Sequence, residues 1–246
     1  MERIESVNNL KIKQIAKLHT RKERKKSNQF LIEGFHLVEE AAKSNIDIEM
    51  ILTVNPEKLN EVIVENSKEQ FEITFKIAEK LSQTEAPQGI YAVCNMPEVS
   101  NIEMNKVLYL DRIQDPGNVG TIIRTADAAG MDAVIIAKGT VDIYNDKVLR
   151  ASQGSVFHIP VVEMDFAEAK DLVKGKVYGT SLDNAVDYKS IEANEQFMLV
   201  LGNEGQGVDE AILAQTDENL YVPIHGKAES LNVAVCAGIL MYHLIK

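Results

Sequence analysis

The sequence predicts an α/β chain in two parts: a small α/β domain over residues 1–95, a linker over 96–105, and an α/β domain with a parallel sheet over 106–246. Three observations carry this expectation. Short apolar runs such as Val107-Leu108-Tyr109-Leu110 and Phe197-Met198-Leu199-Val200-Leu201 lack polar alternation, as expected of strands buried on both faces. They alternate with helical patterns, which implies a largely parallel sheet with helices on both faces. Around Met96-Pro97 and Ser100-Asn101 the apolar period lapses, which marks a boundary.

From Ser6 to Lys26, Leu10, Ile15 and Leu18 suggest a short helix followed by a charged loop. Phe30–Ile32 reads as a strand ending at Gly34, and Phe35–Lys43 as a helix with Leu37, Val38, Ala41 and Ala42 on one face. Met50–Val54 is the next strand, and Pro56 opens a helix. Ile73–Phe75, a helix through Lys80, and Ile90–Cys94 complete the first part. In the second, a loop from Asp111 to Gly117 leads into a helix over Asn118–Ala129 that stops at Gly130. Ala133–Ala137 and Val177–Thr180 are further buried strands, and a helix from about Ser230 to Ile245 closes the chain.

With 45% hydrophobic and 26% charged residues, the chain supports a packed core. No apolar run reaches the roughly 18 residues of a membrane span, and the N-terminus MERIESVNNL has no apolar signal core, so we expect a cytoplasmic protein with no membrane partner. Cys94 and Cys236 lie far apart without metal-ligand spacing, which supports neither a disulfide framework nor a metal site. The net charge of −11 argues against a polyanionic partner, but its distribution argues the other way. Residues 1–35 hold nine Lys or Arg against four Asp or Glu, a balance of +5, which leaves −16 on the remainder. Arg21, Lys22, Arg24, Lys25 and Lys26 form a basic cluster that could hold RNA or DNA phosphates, or equally be a solvated helix end.

Three loops follow buried strands, where open α/β sheets bind ligands. In Asp111-Arg112-Ile113-Gln114-Asp115-Pro116-Gly117-Asn118-Val119-Gly120, Asn118 could cap the helix, and Arg124 beyond it can reach a phosphate or pair with Asp127 or Asp111. In Gly202-Asn203-Glu204-Gly205-Gln206-Gly207, three glycines let the backbone hug a flat ligand, and Glu204 is either a functional carboxylate or an anion for the following helix. In Val222-Pro223-Ile224-His225-Gly226 through Ser230-Leu231-Asn232-Val233, Ser230 is placed as an N-cap. Asn232 is mildly unfavourable early in a helix, which hints at another purpose. The small residues Ala234, Ala237 and Gly238 let another helix or a backbone lie close.

The set Asn118-x-Gly120-x-x-x-Arg124, Leu201-Gly202-Asn203-Glu204-Gly205-x-Gly207 and Pro223-Ile224-x-Gly226-x-x-x-Ser230-Leu231-Asn232-Val233 closely resembles the three motifs of the SpoU (TrmH) family. Its members are S-adenosylmethionine-dependent RNA ribose 2′-O-methyltransferases. The segment Arg150-Ala151-Ser152-Gln153-Gly154-Ser155 resembles a further family feature, and residues 1–95 more loosely resemble the L30e-like substrate-binding domain. The resemblance implies a C-terminal trefoil-knot (SPOUT) methyltransferase domain. It also implies a homodimer in which one subunit's Arg124 completes the other's site. By the same resemblance, Arg124, Asn118, Glu204, Ser230 and Asn232 form the catalytic set. S-Adenosyl-L-methionine would be held near Gly202, Val222, Ile224 and Leu231, and RNA by the basic cluster and Arg150. His225 and Ala234 stand where many members have Met and Ser.

Methyl transfer to a hydroxyl needs alignment above all, and neither a cysteine nor a metal. A guanidinium rarely releases its proton, so we expect Arg124 to position hydroxyl and phosphate, with a role as base as the alternative. A 2′-hydroxyl target selects RNA over DNA. The basic leader and separate N-terminal domain favour rRNA over tRNA. A non-catalytic RNA-binding protein would have lost Arg124, Asn118 or Asn232, and a nucleotide-dependent metabolic enzyme would carry GxGxxG or GxxxxGK[ST], which are absent.

Overall fold

A computed structural model describes residues 1–100 and 102–245 of the chain; Asn101 in the linker and Lys246 at the end of the second expected domain lie outside them. The contacts divide the chain into two units, Met1–Glu98 with Tyr144–Phe157, and Val99–Ile143 with His158–Lys246.

The first unit runs β1 (Glu2–Ile4), α1 (Leu10–Lys17), α2 (Arg21–Ser27), β2 (Gln29–Glu33), α3 (Phe35–Lys43), β3 (Ile48–Thr53), α4 (Glu61–Glu65), β4 (Ser67–Ile73), α5 (Phe75–Leu81) and β5 (Ile90–Asn95). Its five-stranded sheet has the order β1-β4-β3-β5-β2, with β2 and β3 antiparallel to β5 and the other pairs parallel. Ile12, Ile15, Leu18, Leu52, Phe71, Ile77 and Tyr91 fill one layer of the core.

Three local expectations are corrected here. The basic segment is not a loop: α2 begins after Thr20, whose hydroxyl accepts from the Glu23 amide, and ends at Asn28 in the left-handed region. Thr20-x-x-Glu23 is the sequence signal for that start, masked by the run of charges. Pro56 opens only a 3₁₀ turn, Pro56–Lys58, before α4. Phe75 begins a helix rather than ending a strand.

Arg24 is also corrected. It is 4% exposed, and its Nη1 donates to the Leu18 carbonyl at 2.7 Å, satisfying one of the orphan carbonyls at the end of α1. It therefore joins α1 to α2 and presents no phosphate-binding surface, whereas Arg21, Lys22, Lys25 and Lys26 are exposed. Arg24→Ala is expected to destabilise the first unit by about 1–3 kcal/mol, because a buried carbonyl loses a charged donor. Lys25→Ala, on the exposed side, should stay within about 0.5 kcal/mol of the parent. Urea unfolding of the two variants checks the contrast.

The second unit contains β6 (Lys106–Asp111), α6 (Pro116–Ala128) and β7 (Ala133–Ile136). The chain then contributes α7 (Asp146–Ser152) to the first unit, so that Tyr144–Phe157 groups with residues 1–98 and not with the segments on either side of it. Within that unit Phe30 stacks on Tyr144 and Phe157 at centroid distances of 4.4 and 6.2 Å. The second unit resumes with β8 (Val161–Glu163), α8 (Phe166–Leu172), β9 (Lys176–Thr180), β10 (Val186–Asp187), β11 (Phe197–Gly202), α9 (Glu210–Leu213), β12 (Glu218–Tyr221) and α10 (Val233–Leu244).

Its sheet has the order β10-β12-β9-β11-β6-β7-β8, and every pair is parallel. β6, β7 and β11 are almost wholly buried, as their unbroken apolar runs require. The chain proceeds from β6 outward to β7 and β8, then returns to the other side of β6. β6 and β11 are therefore neighbours whose following loops leave in different directions, the arrangement that opens a crevice at their carboxyl ends. Register pairs Asp111 with Gly202, so the two loops start level.

Candidate active site

Asp111 ends β6, and Asp115-Pro116 starts α6. Asp115 is the N-cap, its Oδ1 accepting from the Asn118 amide at 2.8 Å, and Pro116 occupies the first helical turn. Asn118 is thus not the cap, as the sequence suggested, and its side chain is available for other work. Asn118 Nδ2 donates to Glu204 Oε1 at 3.1 Å, and Asn118 Oδ1 accepts from Asn232 Nδ2 at 2.9 Å. One hydrogen-bonded chain thereby joins the three loops.

Glu204 serves the N-terminus of α6 rather than that of the helix that follows it. Its carboxylate accepts from the amides of Gln114 and Asp115 at 3.2 Å each, as well as from Asn118. Partial burial alone would push its pKa up, but the side-chain bond from Asn118 and the backbone amides outweigh this and hold it below the ordinary value. The stabilisation from this carboxylate is therefore present above the ordinary glutamate pKa and lost as the pH falls through the depressed one.

Gly202 lies where the loop folds back on itself. Asn203 and Gly207 exchange backbone hydrogen bonds of 3.0 and 2.8 Å, and a side chain on Gly202 would meet the Val208 nitrogen at 2.1 Å.

The third loop is followed by α10, which starts later than expected, at Val233. The N-cap is Asn232 rather than Ser230: its Oδ1 accepts from the amides of Ala234 and Val235 at 2.9 and 3.3 Å. The other end of the same amide holds Asn118. This double use accounts for an asparagine where propensity disfavours one. Ser230 is exposed and makes no hydrogen bond among the described residues. Asn232→Ala is expected to destabilise α10 by about 1–2 kcal/mol through the lost cap. Asn232→Asp keeps the capping oxygen but removes the donor to Asn118, so it should retain stability and lose activity. Thermal unfolding alongside a methylation assay separates the two functions.

Arg124 projects from α6 about 120° around the helix from Asn118. It is exposed and pairs with no described residue; both partners considered from sequence are taken, Asp127 by His158 at 3.0 Å and Asp111 by Arg112. The RNA candidate Arg150 is half-buried and bound to Asp146 at 2.6 Å. Sequence reasoning passed over Asp115 and Asn203. The Asp-Pro pair at a helix start would have found the first. The second stood in the quoted glycine-rich motif but was given no role; its Nδ2 donates to the Arg112 carbonyl at 2.8 Å.

The residues present also fit an S-adenosylmethionine molecule. From Pro223 to Leu231 no backbone group hydrogen-bonds to another described residue, leaving a run of donors and acceptors open to an adenine edge. Half-buried Val222 and Ile224 and exposed Leu231 add apolar contact beside them.

The seven-stranded parallel sheet, with three loops bonded together at its carboxyl ends, is shared with solved methyltransferases of the SPOUT class. Residues 105–242 match the SpoU rRNA Methylase family, and residues 9–92 match the MRM3-like substrate binding domain. The chain belongs to the SpoU rRNA methylase family. It is 51% identical to the 23S rRNA (guanosine(2553)-2′-O)-methyltransferase RlmP of Bacillus subtilis, across 99% of both chains. Its structure is similar to that of an AdoMet-bound rRNA methyltransferase from Sinorhizobium meliloti, with a TM-score of 0.89, 29% identity, and coverage of 99% of this chain and 97% of that one. It is also similar to the SpoU methyltransferase AviRb from Streptomyces viridochromogenes in complex with AdoMet, with a TM-score of 0.86, 27% identity, and coverage of 96% and 97%.

Proposed function

We propose that the chain transfers a methyl group from S-adenosyl-L-methionine to a ribose 2′-hydroxyl of 23S rRNA, at the guanosine equivalent to the one named for the Bacillus relative. The observation that carries this reading is the Glu204–Asn118–Asn232 chain, which ties the three loops together while Arg124 pairs with no described residue. The bound donor supplies an electrophilic methyl on its sulfonium, so the protein's task is alignment. Backbone groups at Gly202, Val222, Ile224 and Leu231 hold the adenosyl part. Asn118, Glu204, Ser230 and Asn232 shape the floor of the site. Arg124 orients the hydroxyl and an adjoining phosphate with its planar fork.

Arg124 points away from its own Asn118, which favours a homodimer in which it completes the partner's site. The exposed apolar stripe of Val235 and Tyr242, two turns apart on α10, offers a face for such a partner. Arg21, Lys22, Lys25 and Lys26 contact RNA phosphates, and Arg150 joins them on exchanging Asp146 for a phosphate. The first unit acts as the RNA substrate-binding domain. An rRNA substrate puts the protein in the cytoplasm, and no helix among the described residues is long and apolar enough to cross a membrane.

The test incubates the purified protein with radiolabelled S-adenosylmethionine and total RNA from cells lacking its gene. Labelled RNA is separated by size and digested to nucleosides. Labelled 2′-O-methylguanosine from large-subunit rRNA is the expected result. Label in tRNA would keep the chemistry and overturn the substrate. No label and no cofactor binding would overturn the activity.

A further inference from the structure

Arg112 combines a disfavoured backbone with an extensive set of contacts. Its φ is +56°, in the left-handed region that favours glycine. Its guanidinium grips Asp111 through two bonds, Nε to Oδ1 at 2.7 Å and Nη2 to Oδ2 at 2.8 Å, and Asp111 is 2% exposed. Asp111 Oδ2 also accepts from the Asp209 amide at 2.8 Å, just beyond the glycine loop. At the other end of that loop, Asn203 Nδ2 donates to the Arg112 carbonyl at 2.8 Å. The guanidinium lies 3.5 Å from Gln206 Oε1 and 3.7 Å from Asp209 Oδ2. The Asp111–Arg112 pair thus holds residues 203, 206 and 209, on both sides of Glu204. The left-handed turn is what lets one residue do this: it sends the carbonyl to Asn203 while the side chain folds back onto Asp111.

We propose that Arg112 is a positioning residue for methyl transfer, acting through Glu204 by fixing the loop that carries it. This rests on the activity proposed above. A conformationally relaxed replacement would leave the fold in place but loosen Glu204 against the Gln114 and Asp115 amides. Misplacing an aligned group by about 1 Å costs on the order of 100-fold in rate.

The test compares the parent, Arg112→Gly, which suits the backbone, and Arg112→Lys, which keeps the charge without the fork. For Arg112→Gly we expect kcat to fall roughly 10- to 100-fold with KM for RNA unchanged. The melting temperature of Arg112→Gly should fall by roughly 6–12 °C, because the buried Asp111 carboxylate loses its counter-ion. Arg112→Lys, which keeps a cation, should stay closer to the parent, so both rates are measured well below the transition. Amide exchange at Gly205 and Gln206, whose N–H groups bond Asn203 Oδ1 at 2.9 and 3.1 Å, should accelerate. Combined with Glu204→Gln, Arg112→Gly should cost no more than Glu204→Gln alone. Arg112→Lys should fall between parent and glycine, and it carries the test if the glycine variant fails to fold.

Parental kcat in Arg112→Gly, or a raised KM for RNA at parental kcat, would overturn the proposal; the latter would make Arg112 an RNA contact. Additivity with Glu204→Gln would overturn it too. If the parent itself methylates no RNA, the proposed activity fails. The exchange comparison then still decides the positioning, and unaltered exchange across residues 203–208 refutes it.

Discussion

Replacing Arg124 by alanine is expected to lower kcat by about 1,000-fold while leaving folding and cofactor binding intact. The guanidinium is exposed and pairs with no described residue, so its removal breaks no polar contact among them. Stability should therefore change by no more than about 0.5 kcal/mol. A 1,000-fold loss corresponds to about 4 kcal/mol of transition-state stabilisation, the scale of a charged donor acting in a water-poor site. Arg124→Lys restores the charge but not the fork, and should recover only part of the rate. Single-turnover methylation with labelled donor gives the rate, and calorimetric titration with S-adenosylhomocysteine gives binding. Wild-type turnover in Arg124→Ala would remove the residue from the mechanism.

The same variant also tests the shared site. In the proposed homodimer, Arg124→Ala and Asn232→Ala subunits, each inactive alone, should together recover about a quarter of parental activity, because half of randomly formed dimers would contain one intact composite site out of two. No recovery on mixing would assign Arg124 to its own subunit's site.

The second large effect is structural. Gly202→Ala should destabilise the second unit by about 3 kcal/mol or more and abolish cofactor binding. The added Cβ would sit 2.1 Å from the Val208 nitrogen and 2.2 Å from the Gly207 carbonyl carbon, both backbone atoms. Neither can retreat without opening the Asn203–Gly207 bridge and moving Glu204 from the α6 N-terminus. Gly226→Ala is the control: a Cβ there meets nothing within 4 Å. Thermal unfolding should show a drop of roughly 6–12 °C for the first and almost none for the second. Comparable curves would mean that the loop does not close over β11 as described.

Much of this was legible in the chain itself. The apolar runs at 107–110 and 197–201 announced strands buried on both faces, because such burial removes the polar alternation that water would otherwise impose. Three loops rich in glycine, asparagine or serine after such strands, in a set order, point to the site and resemble those of its family. Residues 1–35 revealed their charge because composition survives any uncertainty about structure. Local rules were weaker where several polar residues compete for one role. Asn118 and Ser230 both looked like caps, yet Asp115 and Asn232 are the caps. An N-cap is chosen by where the backbone turns, and Pro116 at the first turn settled that for α6.

The sequence by itself determined the chemistry on offer: which loops carry amides, a carboxylate and a guanidinium, and that the runs 107–110 and 197–201 are core strands. Only the tertiary structure decided who meets whom. Asn118 and Glu204 are 86 residues apart, and Asn118 and Asn232 are 114 apart, yet each pair is hydrogen-bonded. It also decided that Arg24 is an internal strut while Arg124 is exposed and pairs with no described residue. Both are helical arginines, and although the Asn118-x-Gly120-x-x-x-Arg124 motif singled out the second, charge and helical spacing alone do not say which side chain is covered. What separates them is whether a distant surface folds over the side chain. That is a property of packing between elements, and short-range sequence spacing does not encode it.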